Sequence, residues 1–578
     1  MNTCPKSVPY LVMRQLNRLN QFQRLWQPSK GAPQRATVAE LAAYCFCSER
    51  HIRTLLGQLE SAGWLRWHAS AGRGRRGELR FLVSPDEVRA SLMQQALDKG
   101  QQQSALALAQ LAPEQLRHVL QPLLGGQWQN DIPTLRIPYY RSLESLTPGF
   151  LPGRAEQHLT SQIFAGLARF SDDSAQPQPD MAHRWQTDNS GTCWHFFLRP
   201  TLRWHDGESV SAEQILARLQ TLMTRPMFSR LFASVAQIDA PHAWCLRFRL
   251  HQPDYWLPWR LASFGSRIAH PDDDRLGCGP FRLSHFDNSL VRLESHDGYH
   301  LAHPLLRAIE FWITPGLFDE QLGTSCRHPV QIAIGQQAQF PDLRPVSRSV
   351  SLGFCWLAIR QQGRLSAPQA RYLMALIHQQ GMLDALPLDP ALITPSHTLL
   401  PGQQLPDFTE VAPVQLPSRL RLLYRLPVEL HAMAQQLRRR LAELGCELEL
   451  VFRNVKNWDD GLTVEEADLV MGDRLIGEAA EYTLEQWLRC DPLWSFILSG
   501  PQQAHIQATL DALQRSPEAR DRNDALRRLF SRLVEQAIVT PLFNYRYQIS
   551  APPGVQGIQL NAWGWFDFSR AWLPPPGT

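Results

Sequence analysis

Apolar residues recur at three- and four-residue steps over residues 11–26 (Leu11, Leu16, Leu19, Phe22, Leu25, Trp26), which predicts an amphipathic helix. Pro28 and the Lys30-Gly31-Ala32-Pro33 stretch end it. A short helix is expected over 38–44, because Thr37 is a good N-cap and Glu40 stands three residues later, the capping-box spacing. After a turn through Cys45-Phe46-Cys47, Ser48 is a second N-cap and opens a helix to about residue 62. In that helix Ile52, Leu55, Leu56 and Leu59 fall at i, i+3, i+4 and i+7 and form one buried stripe. Glu49, Arg50, Arg53 and Thr54 then face outward near its N-terminus. Gly63 stops the helix; residues 64–67 read as a strand, GRGRRG (72–77) as a glycine-rich tip and 79–83 as a returning strand.

A short helix, a tight turn and a helix with polar first turns make a helix-turn-helix, whose second helix offers those side chains to base edges. Strand, basic tip and strand after it make a wing, from which Arg73, Arg75 and Arg76 reach phosphates or a narrow minor groove. Ser48, Glu49, Arg50, Arg53, Thr54, Arg73, Arg75 and Arg76 are therefore the expected contacts to double-stranded DNA. Winged helices also serve in protein interaction, and the pattern alone allows that use. GRGRRG also matches the glycine spacing of a dinucleotide fingerprint, but that motif needs a helix after it, and here a strand follows. Cys45 and Cys47 lack a second Cys/His pair at zinc-like spacing, so they read as small residues of the turn.

Residues 86–130 have a helical, glutamine-rich composition that suits a two- or three-helix connector; Gly125-Gly126 and residues 130–133 then punctuate the chain. Beyond them short strands, prolines and aromatics alternate with occasional helices, the texture of a mixed α/β protein.

Charge sharpens this division. Residues 1–83 hold thirteen lysines and arginines against four acids, about +9, so the chain's net +4 leaves the remainder near −5. A basic module on an acidic body suits a polyanionic partner for the first part only. The 43 prolines among 578 residues, about 7% against a usual 5%, fit a body rich in turns. No secretory signal is recognisable at the N-terminus and no run approaches a membrane span, the longest apolar candidate being 351–359. The ten scattered cysteines read as reduced core residues. A cytoplasmic protein without membrane contact is expected.

Catalysis is not expected. The chain contains no GxxxxGK[ST] phosphate loop, no HExxH zinc motif and no GxSxG nucleophile elbow. His195 and His205 read as strand histidines, and the acidic pairs at Asp172-Asp173, Asp272-Asp273-Asp274 and Asp459-Asp460 as solvated turns. Neither a cofactor nor a metal is called for.

Several segments resemble the family-5 extracellular solute-binding proteins, which serve oligopeptide, dipeptide and nickel uptake. These are 134–150, the long stretch 158–219 with its GL-x-R, PD-x-A-x-x-W and HDG elements, the GCGPF hairpin (277–300), the helix 369–378 and LLPG (399–402). Within them Gly207 permits the turn after His205-Asp206, and Ser211 caps the following helix. Winged helix, connector and such a domain together resemble the SgrR-type transcriptional regulators, nearest to their YbaE-like branch. ERHIRTLL (49–56), GRGRRGELRFLV (72–83), GGQWQNDIPTLRIPYYR (125–141), residues 457–494 and GWFDFSRAWLPPP (564–576) carry that likeness.

The resemblance implies a mixed α/β multidomain chain. Its parts would be a winged helix-turn-helix (1–85), a helical connector (86–130) and a two-lobed domain like the class II, cluster C periplasmic binding proteins (131–578), with a ligand cleft between hinged lobes. Strand ends are where ligands sit in open α/β sheets, so Arg141, Asp473 and Arg474 are the expected ligand contacts. The arginines suit an anion and Asp473 an amine or sugar hydroxyl. Such residues more often form surface ion pairs, and the tryptophans, Trp563 and Trp565 among them, read by default as core or interdomain packing and otherwise as stacking platforms. The ligand expected is a small molecule, a sugar phosphate, a peptide or another polar metabolite. The stretch 468–492 lacks the longer tryptophan–aspartate–proline pattern of the transport proteins, which counts against a peptide. A homodimer matching inverted half-sites is compatible with the family. The competing reading is a solute-binding protein, transport-related or buffering a ligand, without a role in gene regulation.

Overall fold

The computed structural model describes residues 10–317 apart from short gaps at 71, 73–74, 100, 109–110, 112, 130, 150–152 and 172–173. Beyond these it describes 344–347, 353–378, 382, 386, 393–395, 411–425, 429–453, 466–477, 479–545, 548–551, 554–559 and 565–577. The expected positions Arg73, Trp563, Asp172-Asp173, Asp459-Asp460 and 399–402 lie outside the described residues.

The chain opens with α1 (Tyr10–Trp26), β1 (Gln34–Ala36), α2 (Val38–Tyr44), α3 (Glu49–Ser61), β2 (Leu65–His68) and β3 (Gly77–Phe81). β3 lies between β1 and β2, antiparallel to both, so the wing sheet has three strands rather than two. β1 escaped the sequence reading because it is three residues, QRA, with no apolar alternation; only its partner makes it a strand. The α3 stripe is buried as expected, with Ile52, Leu55, Leu56 and Leu59 at most 3% exposed.

α4 (Pro85–Asp98), α5 (Gln102–Ala107) and α6 (Pro113–Leu120) follow, the first held by a Ser84–Glu87 capping box. Gly125 and Gly126, expected as a break, instead begin an edge strand, β4 (Gly125–Gln129), antiparallel to β5 (Ile132–Tyr139). A Cβ on Gly126 would come within 2.2 Å of a Leu573 methyl, so a glycine is required there by close packing.

The first lobe carries a five-stranded sheet that runs, in spatial order, Phe281–Phe286, Leu290–Ser295, Ala308–Ile313, β5, β4. One face of it packs on Leu159, Ile163 and the returning C-terminal segment through Trp565, Phe566 and Phe568. A four-stranded antiparallel sheet (Val235–His242, Cys245–Leu250, Cys193–Leu198, Ala182–Thr187) extends this lobe. The second lobe holds a six-stranded mixed sheet in which Gly353–Ile359, seven buried residues in a row, is central. Two antiparallel segments, Arg344–Ser347 and Gln548–Ala551, pair with each other and stand in the sequence between the elements of the first lobe and those of the second. Gly207 has φ +93, and Ser211 makes a capping box with Gln214, as expected for both. His205, expected on a strand, sits in the turn beside Gly207, its ring against His296 at 4.8 Å. Among the described residues no helix is long and apolar enough to cross a membrane.

Candidate DNA-binding surface and ligand cleft

α3, the candidate reading helix, is fixed at its start by Ser48, whose hydroxyl accepts the His51 N–H at 3.2 Å. That cap satisfies one of the donors a helix N-terminus leaves open and directs the first turn outward. Glu49, Arg50, Arg53 and Thr54 are all exposed there. Arg53 pairs with Glu49 at 3.1 Å, but both side chains are more than half exposed, so the pair adds little stability and can exchange for a phosphate. The Thr54 hydroxyl donates to the Arg50 carbonyl at 3.3 Å, and Arg50 has no ion-pair partner among the described residues. Arg75 and Arg76 are exposed at the wing tip, with Arg76 tied at 2.9 Å to Glu40, the capping residue of α2. Gly77 closes the wing because a Cβ there would lie 2.5 Å from the Trp67 ring. The last glycine of GRGRRG thus serves a tight hairpin, and a strand follows it.

Burial pushes the Cys45 thiol up to about 11, while the Cys47 N–H donates to the Ala42 carbonyl at 3.0 Å. The two cysteines close the helix-turn-helix turn. Sequence reasoning passed over Phe46 between them. It adopts φ +51, is 83% exposed, and has the Arg24 guanidinium 5.1 Å above its ring. A non-glycine residue at positive φ was not foreseeable from the CFC run.

The cleft candidates do not form one cluster. Arg141 is engaged bidentately by Glu156 at 2.6 and 2.9 Å, and Glu156 also accepts the Glu144 N–H. Asp473 and Arg474 are neighbours on the strand Leu469–Leu475, so they point to opposite faces of the sheet. Arg474 lies over the Trp487 ring at 5.8 Å, and burial holds its pKa below the ordinary arginine value. Trp565 is fully buried and stacked on His158 at 4.7 Å, a core role.

Between the lobes lies a polar seam that sequence reading missed. Arg260 of the first lobe is fully buried and donates to Asp254 at 2.9 Å, to Glu485 of the second lobe at 3.1 Å, and to Gln514 at 3.1 Å. Arg489 grips the same Glu485 at 2.6 Å. Burial pushes the Glu485 carboxyl up, but Arg260 and Arg489 outweigh it and hold it below the usual carboxylate range. Trp256, Ala479 and Tyr482 pack beside this network, and Arg522 stacks on Trp256 at 4.7 Å. No spacing announces such a site, because Arg260 is over two hundred residues from its partners Glu485 and Gln514. Among the described residues no three His, Cys, Asp or Glu side chains converge as metal ligands.

The profile of the "Sugar transport-related sRNA regulator N-term" family matches residues 17–131, and that of "Bacterial extracellular solute-binding proteins, family 5 Middle" matches 176–317. The HTH-type transcriptional regulator SgrR of Yersinia pestis is 30% identical over 577 residues, 96% of this chain and 98% of its own. The chain belongs to the SgrR family of transcriptional regulators. Its similarity to YbaE of Escherichia coli K12 is higher, 58% identity over 98% of this chain and all of that one. Among solved structures, NikA of Brucella suis superposes with a TM-score of 0.64 at 15% identity, over 76% of this chain and all of that one. A dipeptide-binding protein of Pseudoalteromonas gives 0.59 at 15%, again over 76% of this chain and all of its own. These last likenesses carry the fold alone: the two-lobed solute-binding architecture expected for the large domain, here joined to the winged helix of an SgrR-family regulator.

Proposed function

We propose that this SgrR-family chain acts in the cytoplasm as a DNA-binding transcriptional regulator, in which the winged helix reads an operator and the two-lobed domain adjusts operator affinity when a small polar metabolite occupies its cleft. The observation that carries this reading is a single hydrophobic core shared by head and body. It contains Leu19, Phe22, Leu55 and Leu56 of the winged helix and Met93, Leu106, Leu116 and Leu120 of the connector. It also contains Leu290, Trp312 and Leu317 of the first lobe. A head docked in this way moves with the lobe beneath it rather than swinging on a tether. Lobe closure about the paired segments Arg344–Ser347 and Gln548–Ala551 is then a two-state element able to bias the head. A coupling of about 1–3 kcal/mol, roughly 5–150-fold in operator affinity, is what such regulators need.

Arg50, Arg53 and Thr54 supply base or phosphate contacts, with Arg75 and Arg76 on the backbone. For the ligand, Arg474 is the strongest of the three expected positions, since it is set on a tryptophan at the end of a strand. Arg141 is occupied by Glu156, and its part is to orient the loop it anchors. The test is retention of genomic fragments by the full chain at near-physiological salt, with metabolite extract present and absent. Selective retention that shifts with extract is expected; retention no better than competitor DNA under both conditions refutes the reading.

A further inference from the structure

On the first lobe, outside the seam between lobes, a cavity of about 630 Å³ opens against the five-stranded sheet, a volume suited to a metabolite. It is lined by Arg203, Arg282, Arg292 and Arg307, with His205 and His296, and by three acids, Asp206, Glu294 and Asp297. The four arginines outnumber these three acids, and Asp206 has no ion-pair partner among the described residues. Glu294 is shared between Arg282 at 2.7 Å and Arg292 at 3.1 Å, and Asp297 pairs with Arg307 at 2.6 Å. Arg203 donates to the Gly207 carbonyl and the Ser209 hydroxyl, with no acid partner among the described residues. Burial holds both imidazoles below the ordinary histidine range, so arginine carries the positive charge.

The cavity's position gives it a consequence. Strand alternation puts Arg282, Glu294, Arg292, Glu310 and Arg136 on one face of the sheet, and the strand register sets Arg282 opposite Glu294, Arg292 opposite Glu310, and Glu310 beside Arg136. The same face carries Leu290 and Trp312, which pack into the core of the winged helix and connector. Glu310 is fully buried, accepts from Arg136 and from the Trp312 indole at 3.0 Å each, and pairs with Arg292. Arg136 in turn reaches the Leu123 carbonyl at the end of the connector, 3.4 Å away. A ladder of alternating charge therefore runs from the cavity to the connector.

We propose that this cavity is a second ligand site, separate from the cleft, for a small metabolite bearing a phosphate or carboxylate group. Arginine forks match both oxyanions, and Arg203 and Arg307 at the rim retain donors to offer. The site does not depend on the cleft being the sensor.

The test is calorimetric titration of the full chain with inorganic pyrophosphate at near-physiological salt, repeated with the Arg203→Gln/Arg307→Gln variant. Both side chains are exposed, so the fold should survive, and thermal unfolding checks that it does. Arg520→Gln/Arg528→Gln, at two exposed side chains on the helix Ala519–Glu535, removes the same charge away from the cavity and serves as the control. Saturable one-to-one binding, weakened at least tenfold in the double variant and unchanged in the control, is expected. Absence of saturable binding, equal affinity in all three proteins, or equal loss in the control would overturn the proposal.

Discussion

The surface proposed to read DNA and the seam that joins the lobes use the same residue types in opposite ways. On α3 and the wing, arginines are exposed, and their pairs with Glu49 and Glu40 are open to water. Such pairs cost little to break, which leaves the guanidiniums available to phosphates and bases. In the seam, Arg260 and Glu485 are wholly buried, and the desolvated charges hold one another through several hydrogen bonds. Breaking one of those leaves buried charges with fewer of the hydrogen bonds that offset their desolvation. A recognition surface needs weakly committed charges, whereas a buried joint between two lobes needs committed ones.

The comparison predicts a descending series of effects. Glu485→Ala should destabilise the chain by about 3–5 kcal/mol, read by denaturant unfolding, because it removes three charge-assisted hydrogen bonds and leaves Arg260 and Arg489 only their second acids, Asp254 and Asp511. A loss under about 1 kcal/mol would show that water reaches the seam and that the contrast is weaker than drawn. Acidification should strike the body next. Burial holds His158 at about 4 against an ordinary 6.5, so the unfolded chain takes up a proton that the folded one refuses. Stability present above pH 6.5 is then lost as pH falls towards 4, by up to about 3 kcal/mol. His158→Gln should flatten that part of the pH profile; an unchanged profile would assign the loss to other groups.

At the head the effects should fall on binding and spare stability. Arg75→Ala and Arg76→Ala should weaken binding to all DNA alike and flatten its salt dependence by about one ion for each phosphate left without its arginine. Thermal unfolding should move little, in keeping with surface sites. Smallest is Ser48→Ala, which removes the cap of the reading helix at a cost of about 1 kcal/mol. If it weakened DNA binding no more than it destabilised the fold, Ser48 would be a cap and not a contact.

The same contrast explains what the sequence made legible. Both caps, Thr37 with Glu40 and Ser48, appear where their spacing put them, as does the stripe from Ile52 to Leu59, because each depends on residues within one or two helical turns. β1 and the seam depend on partners far along the chain: Gln34 needs Leu79, and Arg260 needs Glu485. Arg141 stood out by its place after a strand, yet its acid partner Glu156 lies on a helix whose register fixes the pair. Asp473 and Arg474 looked like one site because they are adjacent, and the two-residue period of a strand is what parts them.

The most direct measurement is the ratio of specific to nonspecific DNA affinity for the full chain and its Arg50→Ala/Arg53→Ala variant, taken across a range of salt. The exposed first turns of α3 predict a ratio that falls at least tenfold in the variant, with thermal stability unchanged. An unchanged ratio, or a fall matched by loss of fold, would contradict the assignment of α3 as the reading helix.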